Sequence, residues 1–208
     1  MLQLTIMKIT GYGPWTLTLG SDREHELQML QASLYQKVQE LFSKKNGLVF
    51  PNRSDEFFAV TNQISLDDHI EIQKELESKF EIKLSMSIGY GTSPFNANVL
   101  ANDGKKSNKV LSEKYSIFGS MNGKEEQNVT IMHLDVDSLT EKRKMISPYE
   151  TSSLMFKLYS RMSEFFLKKE SLTFFMGGDN FMVVSNSEHK EHAQEFINTI
   201  KQEMDLLL

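Results

Sequence analysis

Residues 172–185 read Leu-Thr-Phe-Phe-Met-Gly-Gly-Asp-Asn-Phe-Met-Val-Val-Ser, and this stretch decides the fold. Two runs of five residues, each with four apolar side chains, flank the polar turn Gly177–Asn180. Runs of this length, separated by a glycine-rich turn, are typical of an antiparallel hairpin. Asp179 is therefore predicted to lie at the tip of a hairpin between two buried strands.

The hairpin pattern occurs twice. Residues 47–61 repeat it, with Asp55 in the place of Asp179. One strand ends at Thr10, 45 residues before Asp55, and another ends at Asp135, 44 residues before Asp179. A long internal repeat indicates two copies of one folding unit.

Each copy also carries helical periodicity. Apolar residues spaced three and four positions apart predict a helix before each hairpin. These residues are Leu27, Leu30, Leu34, Val38 and Leu41 in the first copy and Leu154, Leu158, Met162 and Phe165 in the second. A further helix is predicted after each hairpin, over 66–80 and 188–204. The first copy continues into a strand at 82–90 and a helix from Pro94.

These elements predict an α+β protein of two tandem ferredoxin-like (βαββαβ) domains, each an antiparallel sheet with helices on one face. The expected boundaries are 1–116 for the first domain, 117–127 for a linker and 128–208 for the second. Asp55 precedes Ser87 by 32 residues, and the same spacing from Asp179 runs past Leu208. The second domain is therefore expected to be incomplete at its C-terminus.

The composition of the chain excludes several classes of protein and of binding site. The 208 residues are 39% hydrophobic and 25% charged, which is ordinary globular composition. The absence of cysteine excludes disulfides and thiolate metal ligands, and the net charge of −5 argues against a nucleic-acid duplex as partner. No run is long enough for a membrane span, and the N-terminal residues read as a strand rather than a signal peptide, so a cytoplasmic location is expected.

Carboxylates at the strand ends are the chemically informative feature. Asp135 and Asp179 lie on strands that are neighbours in the predicted sheet, so both can converge on one cation. Hard oxygen ligands of this kind suit Mg²⁺, which takes the rest of its shell from water and phosphate. The alternatives stay open, because Gly-Gly-Asp-Asn is also an ordinary hairpin turn and an Asp at a strand end also caps helices.

A family resemblance bears on this choice. Gly177–Phe181 together with Asp135 resembles the metal-binding palm of nucleotidyl and diguanylate cyclases. The opening Tyr12–Thr16 (Tyr-Gly-Pro-Trp-Thr) and the segment 174–182 are more narrowly similar to archaeal GTP cyclohydrolase III, a family with two tandem palm-like domains. That similarity extends over nearly the whole chain.

The resemblance implies a Mg²⁺-dependent hydrolase. Such an enzyme opens the imidazole ring of GTP, keeps the formyl group and releases inorganic phosphate, giving 2-amino-5-formylamino-6-(5-phosphoribosylamino)pyrimidin-4(3H)-one for flavin and deazaflavin synthesis. The implied residues are Asp135 and Asp179 as catalytic metal ligands, the Val136 carbonyl as a third ligand, and Gly177, Gly178, Asn180, Tyr12 and Gly13 as nucleotide-binding positions. Asp137 is a weaker metal candidate.

The first copy departs from the family pattern. Thr10 and Gly11 stand where family members carry Asp-Asn, and the first hairpin turn reads Arg-Ser-Asp-Glu over 53–56. We therefore expect the first domain to hold metal weakly if at all. The Tyr12–Thr16 segment either lines a pocket or only holds its own loop, and His133 is expected to pack within its strand.

Two other functions are compatible with the sequence. One is a cyclase of the same superfamily that makes a cyclic guanine nucleotide, and the other is a catalytically degenerate nucleotide-binding sensor or scaffold. The expected partner is GTP, with neither nucleic acid nor membrane. A homo-oligomer is also expected, although the sequence does not give the oligomeric state.

Overall fold

The computed structural model describes residues 1–17, 23–121, 128–136, 147–186 and 191–207. Asp137, most of the predicted linker and the start of the last predicted helix lie outside these ranges. The chain divides into two compact units, Met1–Thr92 with Asn96–Gln127 and Ser93–Phe95 with Asn128–Leu208. Both contain helices and strands, so the predicted α+β class is confirmed. Within the described residues, no helix is long and apolar enough to cross a membrane.

Unit 1 is built on a six-stranded sheet of order β2-β3-β1-β4-β6-β5. The central strand β1 pairs antiparallel with β3 on one side and with β4 on the other. In chain order the elements are β1 Leu2–Ile9, α1 Tyr12–Thr16, α2 Arg23–Ser43, β2 Leu48–Arg53, β3 Glu56–Val60, α3 Leu66–Phe80, β4 Leu84–Gly91, α4 Pro94–Lys106, β5 Val110–Ser112 and β6 Ile117–Gly119.

Two features of unit 1 differ from the sequence prediction. The sheet is mixed rather than purely antiparallel, because β6 pairs parallel with β4 and so occupies residues that the sequence assigned to the linker. Helices also cover both faces. Ile88 joins the core under α2 and α3, whereas a Cβ on the next residue, Gly89, would overlap the backbone of Ala97 in α4. Successive strand residues face opposite sides, so α4 lies on the other face.

Helices α2 and α3 pack on one face of the sheet through a continuous apolar core. Leu34, Val38 and Phe42 of α2 and Leu76 of α3 are fully buried against strand residues such as Met7. Helix α3 begins in a capping box, in which the Ser65 side chain accepts from the backbone of Asp68 and the Asp68 side chain accepts from the backbone of Ser65. The core thus fixes both helices relative to β1 and its hairpin.

A buried polar network also joins α3 to β1. The His69 side chain is fully buried; its Nδ1 lies 2.7 Å from the Ser65 carbonyl oxygen and its Nε2 lies 2.8 Å from Thr5 Oγ1. A carbonyl oxygen only accepts, so Nδ1 donates and Nε2 accepts the Thr5 hydroxyl proton. Burial lowers the pKa of His69 below its ordinary value. The histidine is therefore held neutral in the folded protein.

We expect unit 1 to lose stability as the pH falls below about 6.5, the ordinary pKa of histidine. Because the pKa of His69 is lowered in the folded state, its stabilising effect is complete above the unfolded-state pKa and declines below it, by at most about 1.4 kcal/mol per pH unit. Denaturant unfolding at pH 7.5 and 5.5 measures this. The difference should disappear in His69→Gln and persist when the exposed His25 is replaced in His25→Gln; the reverse pattern would refute it.

Unit 2 contains a three-stranded antiparallel sheet of order β7-β9-β8. Its central strand β9 is fully paired, and Phe181 and Val183 of β9 pack with Phe166 of α5 in the core. The elements are β7 Thr130–Asp135, α5 Pro148–Leu167, β8 Leu172–Gly177, β9 Asn180–Ser185 and α6 His192–Leu207. The strands that carry Asp135 and the Asp179 turn are therefore neighbours.

Candidate active site

The strand register of unit 2 brings Asp135 to the glycine turn. Asp135 is the last residue of β7 and pairs with Asn180, the first residue of β9. Asp179 immediately precedes Asn180 in the turn that joins β8 to β9. Directly opposed residues in an antiparallel pair have Cβ atoms about 4.5–5.5 Å apart. Two carboxylates from neighbouring strands are thus gathered at one end of the sheet.

The turn itself depends on glycine for its backbone conformation. Gly177 has φ +98° and Gly178 has φ +64°, values that side-chain-bearing residues rarely adopt. A Cβ added at either residue would meet nothing within 4 Å. The space in front of the turn is therefore open, and a ligand can approach the backbone beside Asp179.

Hydrogen bonds order the polar groups around this turn. The Asn180 amide nitrogen lies 3.4 Å from Asp179 Oδ1, which accepts from it, and Asn180 Oδ1 lies 3.1 Å from His133 Nε2. Because a carbonyl oxygen only accepts, His133 donates through Nε2. Asp135 is exposed, and its side chain forms no hydrogen bond or ion pair with another described residue.

The prediction that His133 packs within its strand is wrong. Met132 and Leu134 contact the core of unit 2, so the alternating side chains of β7 place His133 and Asp135 on the opposite, exposed face. His133 is a site residue that the sequence argument missed. The signal that identifies it is its two-residue spacing from Asp135, which puts both side chains on one face.

The donor set at this turn fits Mg²⁺. Within the described ranges, no group of three or more His, Asp or Glu side chains could hold a metal ion, and Asp137 lies outside those ranges. Mg²⁺ nevertheless needs only one or two carboxylates when water and phosphate oxygens complete its shell. Asp135 and Asp179 supply that number. The side chain of Val136 packs against the unit 2 core, and ligation by its carbonyl stays a prediction.

A cavity of about 250 Å³ adjoins the same turn. The beginning of α5 forms one wall and Gly178 the other. Helix α5 starts in a capping box between Ser147 and Glu150, with Pro148 as its first residue. The lining residues are Pro148, Thr151, Ser152, Met155 and Gly178.

Tyr12 and Gly13 belong to unit 1, in the short helix α1. The Tyr12 hydroxyl accepts a hydrogen bond of 2.6 Å from the Gln31 side chain, and the Tyr12 ring packs against the unit 1 core. Gly13 is exposed, and its carbonyl accepts from the Thr16 hydroxyl. These contacts hold the segment in place. Nucleotide binding by Tyr12 and Gly13 stays a prediction.

The first hairpin pairs its carboxylates with cations. Lys8 Nζ lies 3.6 Å from Asp55 and 4.0 Å from Glu56, and Arg53 Nε lies 3.7 Å from Asp55. In strand register, Lys8 pairs with Glu56 where Asp135 pairs with Asn180 in unit 2. A lysine therefore occupies the position of a candidate metal ligand.

The sequence alignment and the strand register match different residues of the first strand to Asp135. The sequence match aligns Thr10 with Asp135, whereas the pairing of the first strand with its hairpin is shifted by two residues between the units. Thr10 is exposed and donates its backbone N–H to Lys83. Lys8 matches Asp135 by register and Thr10 matches it by sequence. Neither residue has a carboxylate, so both alignments leave unit 1 without this candidate metal ligand.

Comparison with known proteins identifies the family. A family model described as GTP cyclohydrolase III matches residues 1–208. Proteins named GTP cyclohydrolase III are 35% identical in Methanothermobacter thermautotrophicus (100% of this chain, 85% of the relative) and 34% identical in Methanobrevibacter smithii (99% and 84%). The relative from Methanocaldococcus jannaschii is 32% identical (100% and 79%).

A crystal structure of a guanylyl cyclase matches 89% of this chain and 90% of its own at 12% identity, with a TM-score of 0.35. That score is too low to support a structural inference. The family model, by contrast, matches residues 1–208, and the three relatives named above are 32–35% identical over 99–100% of this chain. The chain belongs to the GTP cyclohydrolase III family of enzymes.

Proposed function

We propose that this chain hydrolyses GTP with Mg²⁺, opens the imidazole ring, keeps the formyl group and releases inorganic phosphate. The product is 2-amino-5-formylamino-6-(5-phosphoribosylamino)pyrimidin-4(3H)-one. Membership in the GTP cyclohydrolase III family supports the substrate and reaction class. The observation that carries the proposal is the meeting of Asp135 with the Asp179 turn at an open end of the unit 2 sheet.

The chemistry of the product defines what the site must do. The formyl carbon stays on the ring nitrogen N7, so the bond that breaks is the one between C8 and N9, with a water adding across it. A product with one phosphate also requires hydrolysis of the phosphoanhydrides, each by a further water. Both steps act on a highly charged nucleotide, and a divalent cation between its phosphates and the carboxylates of this acidic chain would reduce their repulsion.

In this proposal the residues at the strand ends of unit 2 have different roles. Asp135 and Asp179 would hold Mg²⁺, which supplies charge neutralisation at the triphosphate and a lower pKa for bound water. Asn180 holds the Asp179 carboxylate through its amide, and His133 holds Asn180 in turn. Both polar atoms of Asn180 are used in this way, so we assign it to positioning the carboxylate; contact with the purine stays a prediction.

Unit 1 takes no metal in this proposal. Its carboxylates at Asp55 and Glu56 are already paired with Lys8 and Arg53, so a divalent ion would have to displace a lysine and an arginine. We further propose that both units follow one ferredoxin-like, palm-like plan. The matching order of strand, helix, hairpin and helix supports this. A homo-oligomer stays a prediction.

Incubation of the chain with GTP and Mg²⁺ tests the function. The proposal expects release of inorganic phosphate together with loss of purine absorbance, and neither in the presence of EDTA. Pyrophosphate with an unchanged purine spectrum would instead identify a cyclase. Tight GTP binding without turnover would identify a sensor. Either of these results would refute the proposed hydrolase.

A further inference from the structure

We propose that the cavity between α5 and Gly178 receives the guanine base, and that the hydroxyls of Thr151 and Ser152 accept hydrogen bonds from its N1–H and 2-amino groups. This inference rests on the proposed function and deepens it. It assigns base recognition to two side chains of the same unit that carries the candidate metal ligands.

The lining of the cavity favours a neutral, flat group. None of the five lining residues is charged, and Pro148 and Met155 contribute apolar side chains to the lining. A volume of about 250 Å³ lies below the roughly 300–1,000 Å³ of pockets that enclose whole drug-sized ligands. The cavity therefore suits a base rather than the phosphates, and Gly178 connects it directly to the turn at Asp179.

The two hydroxyls are oriented as acceptors. Thr151 Oγ1 donates to the Ser147 carbonyl at 3.1 Å, and Ser152 Oγ donates to the Pro148 carbonyl at 3.2 Å. A hydroxyl has one proton and two lone pairs, so each oxygen then offers only lone pairs to an incoming group. The beginning of α5 thus presents two hydrogen-bond acceptors.

Two acceptors match guanine better than adenine. Guanine presents the N1–H and 2-amino donors side by side, whereas adenine N1 is itself an acceptor and would face a hydroxyl lone pair. A site that hydrogen-bonds a substrate N–H rejects an analogue that lacks it, because its own polar groups are then left unpaired. The two hydroxyls therefore favour binding of guanine over adenine.

The test uses the full chain without metal and the mononucleotides GMP, IMP and AMP as probes, with affinities measured by calorimetry. The wild type should prefer GMP to IMP, which lacks the 2-amino group, and to AMP. Thr151→Val keeps the shape of the side chain and removes its hydroxyl; Ser152→Ala removes the other at an exposed position. Each should lower GMP affinity about tenfold, and the double variant should lose the preference for GMP over AMP.

Ser153→Ala is the matched control, because Ser153 lies on the same helix and outside this cavity. It should leave all three affinities unchanged. Circular dichroism identifies any variant that fails to fold, and Ser152→Ala alone still tests the proposal. An absent GMP preference in the wild type, unchanged affinity in both variants, or an equal loss for GMP and AMP would overturn it. GTP turnover tests the proposed function separately, so either claim can fail alone.

Discussion

Replacing Asp135 or Asp179 with asparagine is expected to lower kcat for GTP about 10³-fold, whereas Asp55→Asn should change it less than about threefold. A bound metal ion contributes several kcal/mol of transition-state stabilisation, and each 1.36 kcal/mol is a factor of about ten in rate. Asparagine keeps the size of the side chain and removes the charge that attracts the metal. Steady-state release of phosphate measures the effect.

Asp55 is a matched control supplied by the internal repeat. It occupies the same hairpin position in unit 1, but Lys8 and Arg53 already neutralise it. A loss of activity in Asp55→Asn equal to that in Asp179→Asn would contradict the assignment of the metal to unit 2. Retention of activity in Asp135→Asn or Asp179→Asn would contradict the two-carboxylate site itself.

Phe181→Ala is expected to lower the free energy of unfolding of unit 2 by about 3–5 kcal/mol. Phe181 directly follows the turn residue Asn180 and is fully buried, with its ring centroid 5.4 Å from that of Phe175 and 6.4 Å from that of Tyr159. Removing it leaves a cavity beneath the candidate site. Denaturant unfolding monitored by hydrogen exchange should show the loss in unit 2 and leave unit 1 unchanged.

Phe156→Ala serves as its control. The Phe156 ring also contacts Phe175, at a centroid distance of 5.4 Å, but its side chain is 58% exposed. Its removal should cost less than about 1 kcal/mol, since an exposed ring gives up little burial. Equal losses in the two variants would show that Phe181 does not support the site in the way proposed.

The hairpins could be predicted from the sequence because their signal is local. Mainly apolar runs on either side of a short polar turn specify strand, turn and strand at once, and the repeat then places β7 beside β9. The predicted apolar face of helix α5 is also confirmed, since Leu154 and Phe165 pack against the unit 2 core, but it is narrower than the observed one. Leu158 and Met162 of its predicted apolar face are buried, but the face also includes Met155 and Phe166, one residue later than the predicted Leu154 and Phe165.

Features that depend on distant contacts could not be predicted. Strand β6 has three residues, too few for any periodicity, and its parallel pairing with β4 is a tertiary contact. Ion pairing of Lys8 depends on register, which only the folded sheet reveals. The sequence places Thr151 and Ser152 near the start of a helix that begins at about Pro148, but the cavity beside them also needs Gly178, which reaches the helix only in the folded chain.

Binding of Mn²⁺ in the presence of GTP, followed by electron paramagnetic resonance, tests the central claim most directly. The wild type and Asp55→Asn should bind Mn²⁺ with equal affinity, and Asp179→Asn should bind it at least about tenfold more weakly, because Asp55 is paired with Lys8 and Arg53 whereas Asp179 lies beside an open glycine turn. Unchanged Mn²⁺ binding in Asp179→Asn, or its loss in Asp55→Asn, would contradict a metal site at the strand ends of unit 2.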